Sequence, residues 1–311
     1  MRIGVVMPAF NVAPYIATAI GSVLAQTHRD WRLTIVDDGS TDGTANIVMG
    51  ALGDRRIRLF RQANAGVSVA RNRGLAETPA EAILLLDADD WLAPDALVRL
   101  AAELAANPDA AAVAAPYARV DEAGVPIERV RRAPSGDLRD ALLTRNLFVN
   151  GGHLLIRRPA LDRAGGFDPA LRYGEDWELW TRLAYQGPFV AVPGRRPLLF
   201  ARERQDGAYL AMAARRSAFV PCMDAIFASP LHGARLGRSA MDRLRAKAQA
   251  ENDWIVGREL IRHGRAEQGR RYLVRSVLAA PGPKRLLLLA ICLLPAPRLG
   301  PFRRYPARPA A

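Results

Sequence analysis

The sequence predicts an α/β protein in which a mostly parallel sheet is flanked by helices and followed by a helical C-terminal extension. Over the first 120 residues, short apolar runs alternate with segments of about 10–15 residues that have helical spacing, which is typical of a buried parallel sheet. Two of the apolar runs end in clusters of aspartate, and the chain from about residue 207 onward has a helical and basic pattern. Because such sheets bind ligands at the carboxyl ends of their strands, the aspartate clusters mark a candidate site.

Apolar runs and helical spacing assign the elements of this region in order. The predicted strands are Ile3–Met7, Leu33–Val36, Ile57–Phe60, Ile83–Leu86 and Ala110–Ala115. The predicted helices between them are Ala13–Gln26, Thr41–Leu52, Val67–Glu77 and Pro94–Ala106. Pro94 is expected to begin the last helix, where its missing N–H costs no intrahelical hydrogen bond.

The elements beyond residue 120 are shorter and follow a loop-like stretch over 121–150 that contains glycine and proline. They are a strand at His153–Ile156, a turn at Gly165–Asp168, a helix at Glu175–Tyr185 and two strands at Val190–Val192 and Leu198–Phe200. We therefore expect residues 1–120 and 121–206 to form two halves of one domain, and residues 207–311 to form the extension.

The net charge of +13 comes from 44 Lys+Arg against 31 Asp+Glu in 311 residues. Residues 1–211 hold 25 basic and 25 acidic residues, so the whole surplus lies in residues 212–311. A surplus of this size is typical of proteins that bind nucleic acid or anionic membranes. The basic region has no nucleic-acid recognition motif and no interleaved aromatic residues, which disfavours nucleic acid as a partner.

The apolar run Leu286–Leu294 lies inside this basic region and is nine residues long. A membrane-spanning helix needs about 20 residues. The run is therefore either an interfacial helix or a helix packed on the domain. The basic third is a candidate contact with a membrane surface or with an anionic acceptor.

The two cysteines, Cys222 and Cys292, form no disulfide framework and no cysteine zinc site. They fit a reducing compartment, and an apolar strand that begins at residue 3 leaves no basic-then-apolar leader. We expect a cytoplasmic protein, with peripheral contact at the inner face of the plasma membrane as a further possibility.

Aspartate clusters follow two of the predicted strands. Asp37-Asp38-Gly39-Ser40 is either a turn in which Ser40 caps the next helix, or a pair of carboxylates that accept hydrogen bonds from a nucleobase or ribose. In Asp87-Ala88-Asp89-Asp90, three carboxylates repel each other unless a cation or donors are present. Hard oxygen ligands suit Mg²⁺ or Mn²⁺, and the alternative is that Asp90 caps the next helix.

Known nucleotide-binding loops are missing from the sequence. It has neither a Gly-x-x-x-x-Gly-Lys-Ser/Thr loop nor a Gly-x-Gly-x-x-Gly motif after the first strand. A P-loop nucleotide-binding protein is therefore unsupported, and a dinucleotide-dependent oxidoreductase is disfavoured despite the parallel sheet.

Several motifs in order along the chain resemble those of a family 2 glycosyltransferase with the GT-A fold, over about residues 1–200. The motifs are Met7-Pro8-Ala9-Phe10-Asn11, Asp37–Asp42, Asn64–Gly74, Asp87–Asp90, Gly165–Asp168 and Gly174–Trp180. The resemblance implies a GT-A-type, Rossmann-like sheet and an inverting transfer from a nucleotide-diphosphate sugar. It also implies a role in the biosynthesis of cell-surface polysaccharide or glycoconjugate.

The resemblance implies a role for each matched residue of the donor site. Pro8 and Phe10 would line the base pocket, and Asp38 would accept a hydrogen bond from the base imide while Asp37 holds the loop. Three further residues are assigned as follows: Arg71 near the phosphates or the aspartate cluster, Asp89 on the ribose or sugar, and Asp90 on the metal, Mn²⁺ or Mg²⁺.

Asp176 would be the general base that deprotonates the acceptor hydroxyl, with Glu175 beside it. Inversion by direct displacement needs one such base opposite the leaving group and an electrophile on that group. Without the other motifs, the pair would be interpreted as negative charge that complements the helix dipole. The implied donor is a UDP-sugar, with guanosine and thymidine donors as alternatives, and the implied acceptor is a glycan or a lipid-linked molecule.

One departure from the family pattern affects the metal site. Many relatives carry an Arg-x-His motif where this chain has Phe200–Arg204, which contains no histidine. Arg202 or Arg204 could bind the diphosphate instead, as permanent cations. A scaffold that has lost catalysis is the alternative, and intact Asp38, Asp90 and Asp176 oppose it.

Overall fold

The computed structural model describes residues 1–204 and 220–292, with side chains described up to Ala290. The described chain forms two compact units. The first contains residues 1–139 and 147–203, and the second contains residues 140–146 and those from Arg204 onward. The predicted boundary at 206 and 207 lies outside the described residues, and the predicted division at residue 120 stays a prediction.

The first unit contains ten strands in two sheets. They are β1 (Ile3–Ala9), β2 (Trp31–Asp37), β3 (Ile57–Arg61), β4 (Ala82–Leu85), β5 (Trp91–Leu92), β6 (Ala112–Ala114), β7 (Tyr117–Val120), β8 (Leu154–Arg157), β9 (Phe189–Ala191) and β10 (Leu199–Arg202). Seven form the main sheet in the order β3-β2-β1-β4-β8-β6-β9, and three form a small sheet in the order β5-β10-β7. Within the main sheet, β8 pairs antiparallel with both of its neighbours, and the other pairs are parallel.

Helices connect these strands. They are α1 (Ala13–Leu24), α2 (Thr44–Ala51), α3 (Val67–Ala76), α4 (Ala96–Ala106), α5 (Arg139–Leu142), α6 (Arg158–Ala164) and α7 (Glu175–Leu183), with a short 3-10 turn at Gly151–His153. The prediction of an α/β fold with a mostly parallel sheet flanked by helices is confirmed.

Several boundaries and short elements differ from the prediction. Helix α4 begins at Ala96 and not at Pro94, whose carbonyl accepts a hydrogen bond from the N–H of Thr27. Helix α2 begins at Thr44 because the Asp42 carboxylate accepts from the Thr44 N–H and keeps the preceding residues in a turn. The expectation that 121–150 is entirely loop is wrong at α5. Strands β5 and β7 were not predicted. Strand β5 has only two residues, and Arg119 interrupts the apolar residues of β7, so neither forms a continuous apolar run.

Close packing of α3 fixes the central strands. The side chains of Ile3, Val5 and Met7 on β1 have no exposed surface, and burial of each such side chain contributes about 1.5–3 kcal/mol. A Cβ atom at Gly74 of α3 would lie 2.3 Å from Cγ1 of Val6. Only glycine at this position lets α3 approach the sheet so closely, so it sets where the residues at the start of the helix lie.

The described part of the second unit is helical: α8 (Val220–Ala228), α9 (Pro230–Leu236), α10 (Arg238–Arg262), α11 (Ala266–Ala279) and α12 (Pro283–Cys292). Helices α10 and α11 pack closely where Gly257 faces Gly269. A Cβ atom at Gly269 would lie 2.6 Å from the carbonyl oxygen of Gly257, so the close approach requires glycine. Ile261 and Leu273 form a small core between them.

Helix α12 contains most of the predicted apolar run. Its side chains Leu288 and Leu289 pack against the core of Ile261 and Leu273, so this part of the run is packed on its own unit. Residues 293 and 294 of the run lie outside the described residues. Within the described parts of the chain, no helix combines the length and apolarity that crossing a bilayer requires.

Candidate active site

The carboxyl ends of β1, β2 and β4 lie side by side at one edge of the main sheet. Ala9 at the end of β1 is paired with Asp37 at the end of β2, and β1 is flanked on its other side by β4. The segments that follow these strands contain Phe10, Asp38 and the run Asp87–Asp90. The structure therefore brings the predicted donor-site segments to one edge, as expected for a parallel sheet.

The loop after β1 is held by the loop after β2. Asn11 has a left-handed backbone with φ of 50°, and its side-chain oxygen accepts from the N–H of Thr41 at 2.9 Å. In return, the N–H of Asn11 donates to Oγ of Ser40 at 3.0 Å, and the N–H of Val12 donates to Oγ1 of Thr44 at 2.9 Å. This bonding fixes the backbone next to Phe10, whose ring is exposed.

Asp37 and Asp38 are both buried and accept hydrogen bonds from protein donors. Asp37 accepts from the N–H of Ser40 at 2.9 Å and from Nε of Arg61 at 3.1 Å. Oδ1 of Asp38 accepts from Nε2 of Gln62 at 2.8 Å and from the N–H of Ala65 at 2.9 Å.

Oδ2 of Asp38 accepts from the N–H of Gly66 at 2.8 Å. Three donors thus fill three of the roughly four lone-pair positions of this carboxylate, which leaves one on Oδ2. Gly66 has φ of 98°, a backbone conformation that residues with a side chain rarely adopt, so this donor segment favours glycine.

Asp90 is 3% exposed and lies among other carboxylates. Burial raises the pKa of Asp90 well above its usual range, and the charges of Asp89 and Asp87 raise it further. Two hydrogen bonds act in the opposite direction: the N–H of Arg202 donates to Oδ1 at 2.8 Å, and the side-chain amide of Asn150 donates to Oδ2. These donors do not offset the crowding, so the negative charge at Asp90 is under-compensated by the protein.

Asn150 and Arg202 are contacts of Asp90 that the sequence did not predict as such. Asn150 lies 60 residues away in the loop before β8, and its side-chain oxygen also accepts from the N–H of Gly152 at 2.9 Å. The only sequence signal is the polar residue before two glycines, which is too common to identify a site.

Arg202 lies at the end of β10 and supports the backbone of the aspartate cluster. Its Nε donates to the carbonyl oxygen of Asp89 at 3.0 Å, and its Nη1 donates to the carbonyl oxygen of Glu122. The guanidinium lies 4.9 Å from the ring of Tyr15 and 4.8 Å from the ring of Trp91. Arg202 therefore stabilises the loop of Asp89 and Asp90. The predicted contact of Arg202 or Arg204 with the diphosphate stays a prediction.

Arg71 of α3 joins the aspartate cluster to helix α7. Its Nη2 donates to Oδ1 of Asp87 at 2.8 Å, and its Nη1 donates to Oε1 of Glu175 at 2.7 Å. The residue is 6% exposed, and its guanidinium lies 5.2 Å from the ring of Phe167. Burial lowers the pKa of Arg71, but the charges of Asp87 and Glu175 outweigh it and raise the pKa.

Asp176 follows Glu175 in the first turn of α7, after Gly174 in a left-handed conformation with φ of 73°. Oδ1 of Asp176 lies 2.6 Å from the N–H of Trp177 and accepts from it. The negative charge of Asp176 is also felt at Arg71, where it raises the pKa. The predicted base residues and the predicted donor-side arginine are thus brought together.

The start of α7 is held by α3 through the turn Gly165–Asp168. The side-chain amide of Asn72 donates to the carbonyl oxygen of Phe167 at 2.8 Å and accepts from its N–H at 2.9 Å. Oγ of Ser68 donates to the carbonyl oxygen of Leu171 at 3.2 Å. The helix that carries Arg71 therefore also positions the helix that carries Glu175 and Asp176.

The remaining expected residues, Pro8, Phe10 and Asp89, lie around this edge. Pro8 is a half-buried residue of β1, paired with Val36, and Phe10 follows the strand with an exposed ring. Asp89 is half-buried. His153 is fully buried between Tyr117 and Phe148, and its Nδ1 lies 3.1 Å from the carbonyl oxygen of Ala115.

Burial lowers the pKa of His153 to about 4, so it is neutral at pH 7. The neutral ring donates from Nδ1 to the carbonyl oxygen of Ala115, since that oxygen can only accept. We interpret this histidine as structural.

The donor set around Asp90 fits a hard divalent cation. Asp90 offers carboxylate oxygens, which are the ligands that Mg²⁺ and Mn²⁺ prefer, while Asp87 is paired with Arg71 and Asp89 is half-buried next to Asp90 in the chain. The raised pKa of Asp90 indicates a site where added positive charge would be favourable. Among the residues that the structure describes here, Asp90 is the most deeply buried of the three carboxylates.

Comparisons with known proteins identify the family of the chain. A family model described as "Glycosyl transferase family 2" matches residues 4–165. The chain is 34% identical over 189 residues to an uncharacterized glycosyltransferase, alr2836, of Nostoc sp., covering 58% of this chain and 57% of that protein. It is 29% identical over 188 residues to a putative teichuronic acid biosynthesis glycosyltransferase, TuaG, of Bacillus subtilis, covering 60% of this chain and 73% of that protein. The chain thus spans little more than half the length of the first relative.

Solved structures share the fold. The structure of Staphylococcus aureus TarS residues 1–349 in complex with UDP matches with a TM-score of 0.65 at 19% identity, covering 94% of this chain and 84% of that one. The mannosyltransferase PcManGT of Pyrobaculum calidifontis, in complex with GDP-Man and Mn²⁺, matches with a TM-score of 0.59 at 21% identity, covering 93% and 78%.

Proposed function

The chain belongs to glycosyl transferase family 2, and from this premise we propose that it transfers a sugar from a nucleotide-diphosphate sugar to a hydroxyl group of a glycan or lipid-linked acceptor. The transfer inverts the configuration of the sugar and serves polysaccharide biosynthesis. Peripheral contact of the basic third with the inner face of the plasma membrane would bring the enzyme to a lipid-linked acceptor.

The observation that carries the proposal is the link through Arg71. A donor-side carboxylate, Asp87, and an acceptor-side carboxylate, Glu175, are held by one buried guanidinium at 2.8 and 2.7 Å. This fixes the distance between the cation-binding cluster and the start of α7. Inverting displacement needs such a fixed arrangement, because the attacking hydroxyl and the leaving diphosphate must lie on opposite sides of one carbon.

Each carboxylate then has a separate role. Asp90 would hold Mn²⁺ or Mg²⁺, which when bound neutralises charge on the leaving diphosphate, and Asp89 would contact the ribose or sugar. Asp38 has one lone-pair position left for a donor group of the nucleobase. Glu175 is paired with Arg71, and this pairing favours Asp176 as the general base that accepts the proton of the acceptor hydroxyl.

The nucleotide is proposed to be a uridine diphosphate. The structural neighbour TarS was solved with UDP and with UDP-GlcNAc, which supports this choice. The GDP-Man complex of PcManGT makes guanosine the first alternative.

Calorimetric titration of the full chain with UDP, GDP and dTDP, with and without Mn²⁺, tests the donor proposal. We expect UDP to bind only when Mn²⁺ is present. Failure of all three nucleotides to bind would contradict it. Mass spectrometry of products from a panel of nucleotide sugars would then identify the sugar.

A matched pair of variants tests the assignment of the base. We expect Asp176→Asn to lower turnover by about 10²–10⁴-fold, the usual contribution of a positioned general base, while UDP affinity stays unchanged. Glu175→Gln keeps a hydrogen-bond acceptor for Arg71 and should lower turnover much less. A larger loss in Glu175→Gln than in Asp176→Asn would transfer the role of base to Glu175.

A further inference from the structure

The last 44 residues of the chain contain no acidic residue. Glu267 is the last carboxylate in the sequence, and nine Lys or Arg residues follow it. Five of these nine are among the described residues of α11 and α12: Arg270, Arg271, Arg275, Lys284 and Arg285. Arg271 forms an exposed ion pair with Glu267 one turn earlier on α11, and Arg285 forms one with Glu251 of α10. A positive potential therefore dominates this end of the second unit.

The same two helices expose large apolar side chains. The exposed fractions are 78% for Leu278, 64% for Leu287 and 51% for Leu286. Helix α12 also packs Leu288 and Leu289 onto the core of its unit. It is therefore apolar on two sides, and only one of them is covered within the described residues.

On each of the two helices, helical spacing places basic and exposed apolar side chains on one face. On α11, Arg271, Val274, Arg275 and Leu278 follow each other at three, four and seven residues from the first, which is one face of a helix. On α12, Lys284 and Leu287 are three residues apart and both are exposed.

We propose that this surface, named here the C-terminal face (Arg271, Val274, Arg275, Leu278, Lys284, Leu286 and Leu287), lies on an anionic lipid membrane. The leucines enter the boundary between headgroups and acyl chains, and the basic side chains contact lipid phosphates. Helix α12, with ten residues, is about 15 Å long and lies in the interface rather than across the bilayer.

Charge and apolarity together select this partner. Nucleic acid would use the arginines and leave three exposed leucines in water, since phosphate contacts need no apolar surface. A symmetric pair of chains joined through this face would bring the same basic residues opposite each other, where like charges repel. An anionic membrane satisfies both kinds of side chain at once.

Flotation of the full chain with lipid vesicles tests the proposal without nucleotide or acceptor, so its result does not depend on the proposed transferase activity. We expect binding to vesicles of phosphatidylcholine mixed with phosphatidylglycerol, and much weaker binding to phosphatidylcholine alone. Equal binding to both compositions, or binding to neither, would overturn the proposal.

Two sets of variants separate the apolar and basic contributions. We expect the triple replacement Leu278→Ser, Leu286→Ser and Leu287→Ser to lower binding by about tenfold for each leucine that leaves the interface. The double replacement Arg271→Gln with Lys284→Gln should lower it about fivefold for each charge removed. All five side chains are exposed, so the variants should fold.

Exposed residues of the first unit supply the controls. Met49→Ser with Val98→Ser removes two exposed apolar side chains, which matches the double variant Leu286→Ser with Leu287→Ser in number, and Arg55→Gln with Arg58→Gln removes the same charge as Arg271→Gln with Lys284→Gln. Neither should change vesicle binding. If these controls lose as much binding as the test variants, the C-terminal face is not the contact.

Two further readouts address the competing partners. Light scattering measures whether the full chain dimerises. If it does, and if the leucine variant abolishes the dimer, the C-terminal face binds a second copy of the chain. Binding to single-stranded RNA that competes with vesicles and is insensitive to the leucine variant would assign the basic residues to nucleic acid. Either result would overturn the membrane proposal.

Discussion

Two aspartate clusters follow β2 and β4, the two strands that flank β1, and they differ in how well the protein compensates their negative charge. Asp37 and Asp38, after β2, are buried and accept five hydrogen bonds from protein donors. Asp90, after β4, is equally buried, but neighbouring carboxylates and burial raise its pKa well above the usual range. The first cluster is satisfied by the protein and shapes a loop. The second is under-compensated, and a cation would complete it.

This difference follows from the donors that the protein provides around each cluster. The donors to Asp37 and Asp38 come mainly from the segments around Ser40 and from Gln62 to Gly66. Around Asp90 the nearby charges are other aspartates, and the cation that balances part of them, Arg71, binds Asp87 instead. The comparison predicts that substitutions in the two clusters affect different measurements.

The largest effect is expected for Asp90→Asn. Turnover should fall on the order of 10³-fold or more, because electrostatic stabilisation of the leaving diphosphate is lost. Steady-state assays with saturating Mn²⁺ measure this, and circular dichroism checks that the fold is kept. Asp37→Asn is the matched control. If it impaired turnover as much while the fold was intact, the two clusters would not differ in function.

Arg71 bridges Asp87 and Glu175, and its replacement should lower stability more than replacement of either carboxylate. Arg71→Met leaves Asp87 and Glu175 without their partner, and breaking a buried ion pair from one side costs about 3–5 kcal/mol. Denaturant unfolding measures the loss. Arg71→Lys, which keeps the charge but cannot span both carboxylates, should lose less. A loss below about 1 kcal/mol in Arg71→Met would show that the two ion pairs contribute little.

Asp38→Ala should destabilise the protein by about 1–3 kcal/mol, because it leaves the N–H groups of Ala65 and Gly66 without their acceptor. The same variant should weaken UDP binding, and unfolding and calorimetry measure the two effects separately. An unchanged stability would mean that water replaces the carboxylate, and the interpretation of Asp38 as a loop-shaping residue would fail.

The smallest effect concerns pH. The pKa of Asp90 is higher in the folded state than in the unfolded state. Folding therefore favours the protonated carboxyl group, and the stability of the protein falls as the pH rises through the raised pKa. In chelator, the stability of the wild type relative to Asp90→Asn should therefore increase as the pH falls through the raised pKa of Asp90. Chemical unfolding at several pH values measures it. A constant difference would indicate that Asp90 is not under-compensated.

Local sequence predicted the central part of the site. The runs that end in Asp37 and Asp87 are continuous apolar segments, and a parallel sheet necessarily brings the residues after them together. Each strand end could be found from a few neighbouring residues, so no long-range information was needed. The family motifs added the start of α7, with Glu175 and Asp176.

Contacts between distant residues could not be predicted in this way. Asn150 and Arg202 reach Asp90 across 60 and 112 residues, and Arg71 reaches Glu175 across 104. Whether an arginine binds substrate or carboxylate depends on packing, which residue type alone does not encode. The antiparallel direction of β8 likewise follows from a connection through residues 121–150 that has no clear periodicity.

The central claim is that Mn²⁺ binds the aspartate cluster after β4 and not the cluster after β2, and stabilisation by Mn²⁺ tests it most directly. Thermal unfolding of the wild type, Asp90→Asn and Asp37→Asn is followed with and without Mn²⁺ and UDP. A ligand at 100 times its Kd stabilises a protein by about 2.7 kcal/mol. We predict that Mn²⁺ with UDP raises the Tm of the wild type and of Asp37→Asn, and leaves that of Asp90→Asn unchanged. An equal rise in Tm for Asp90→Asn would contradict the assignment of the cation to the cluster after β4.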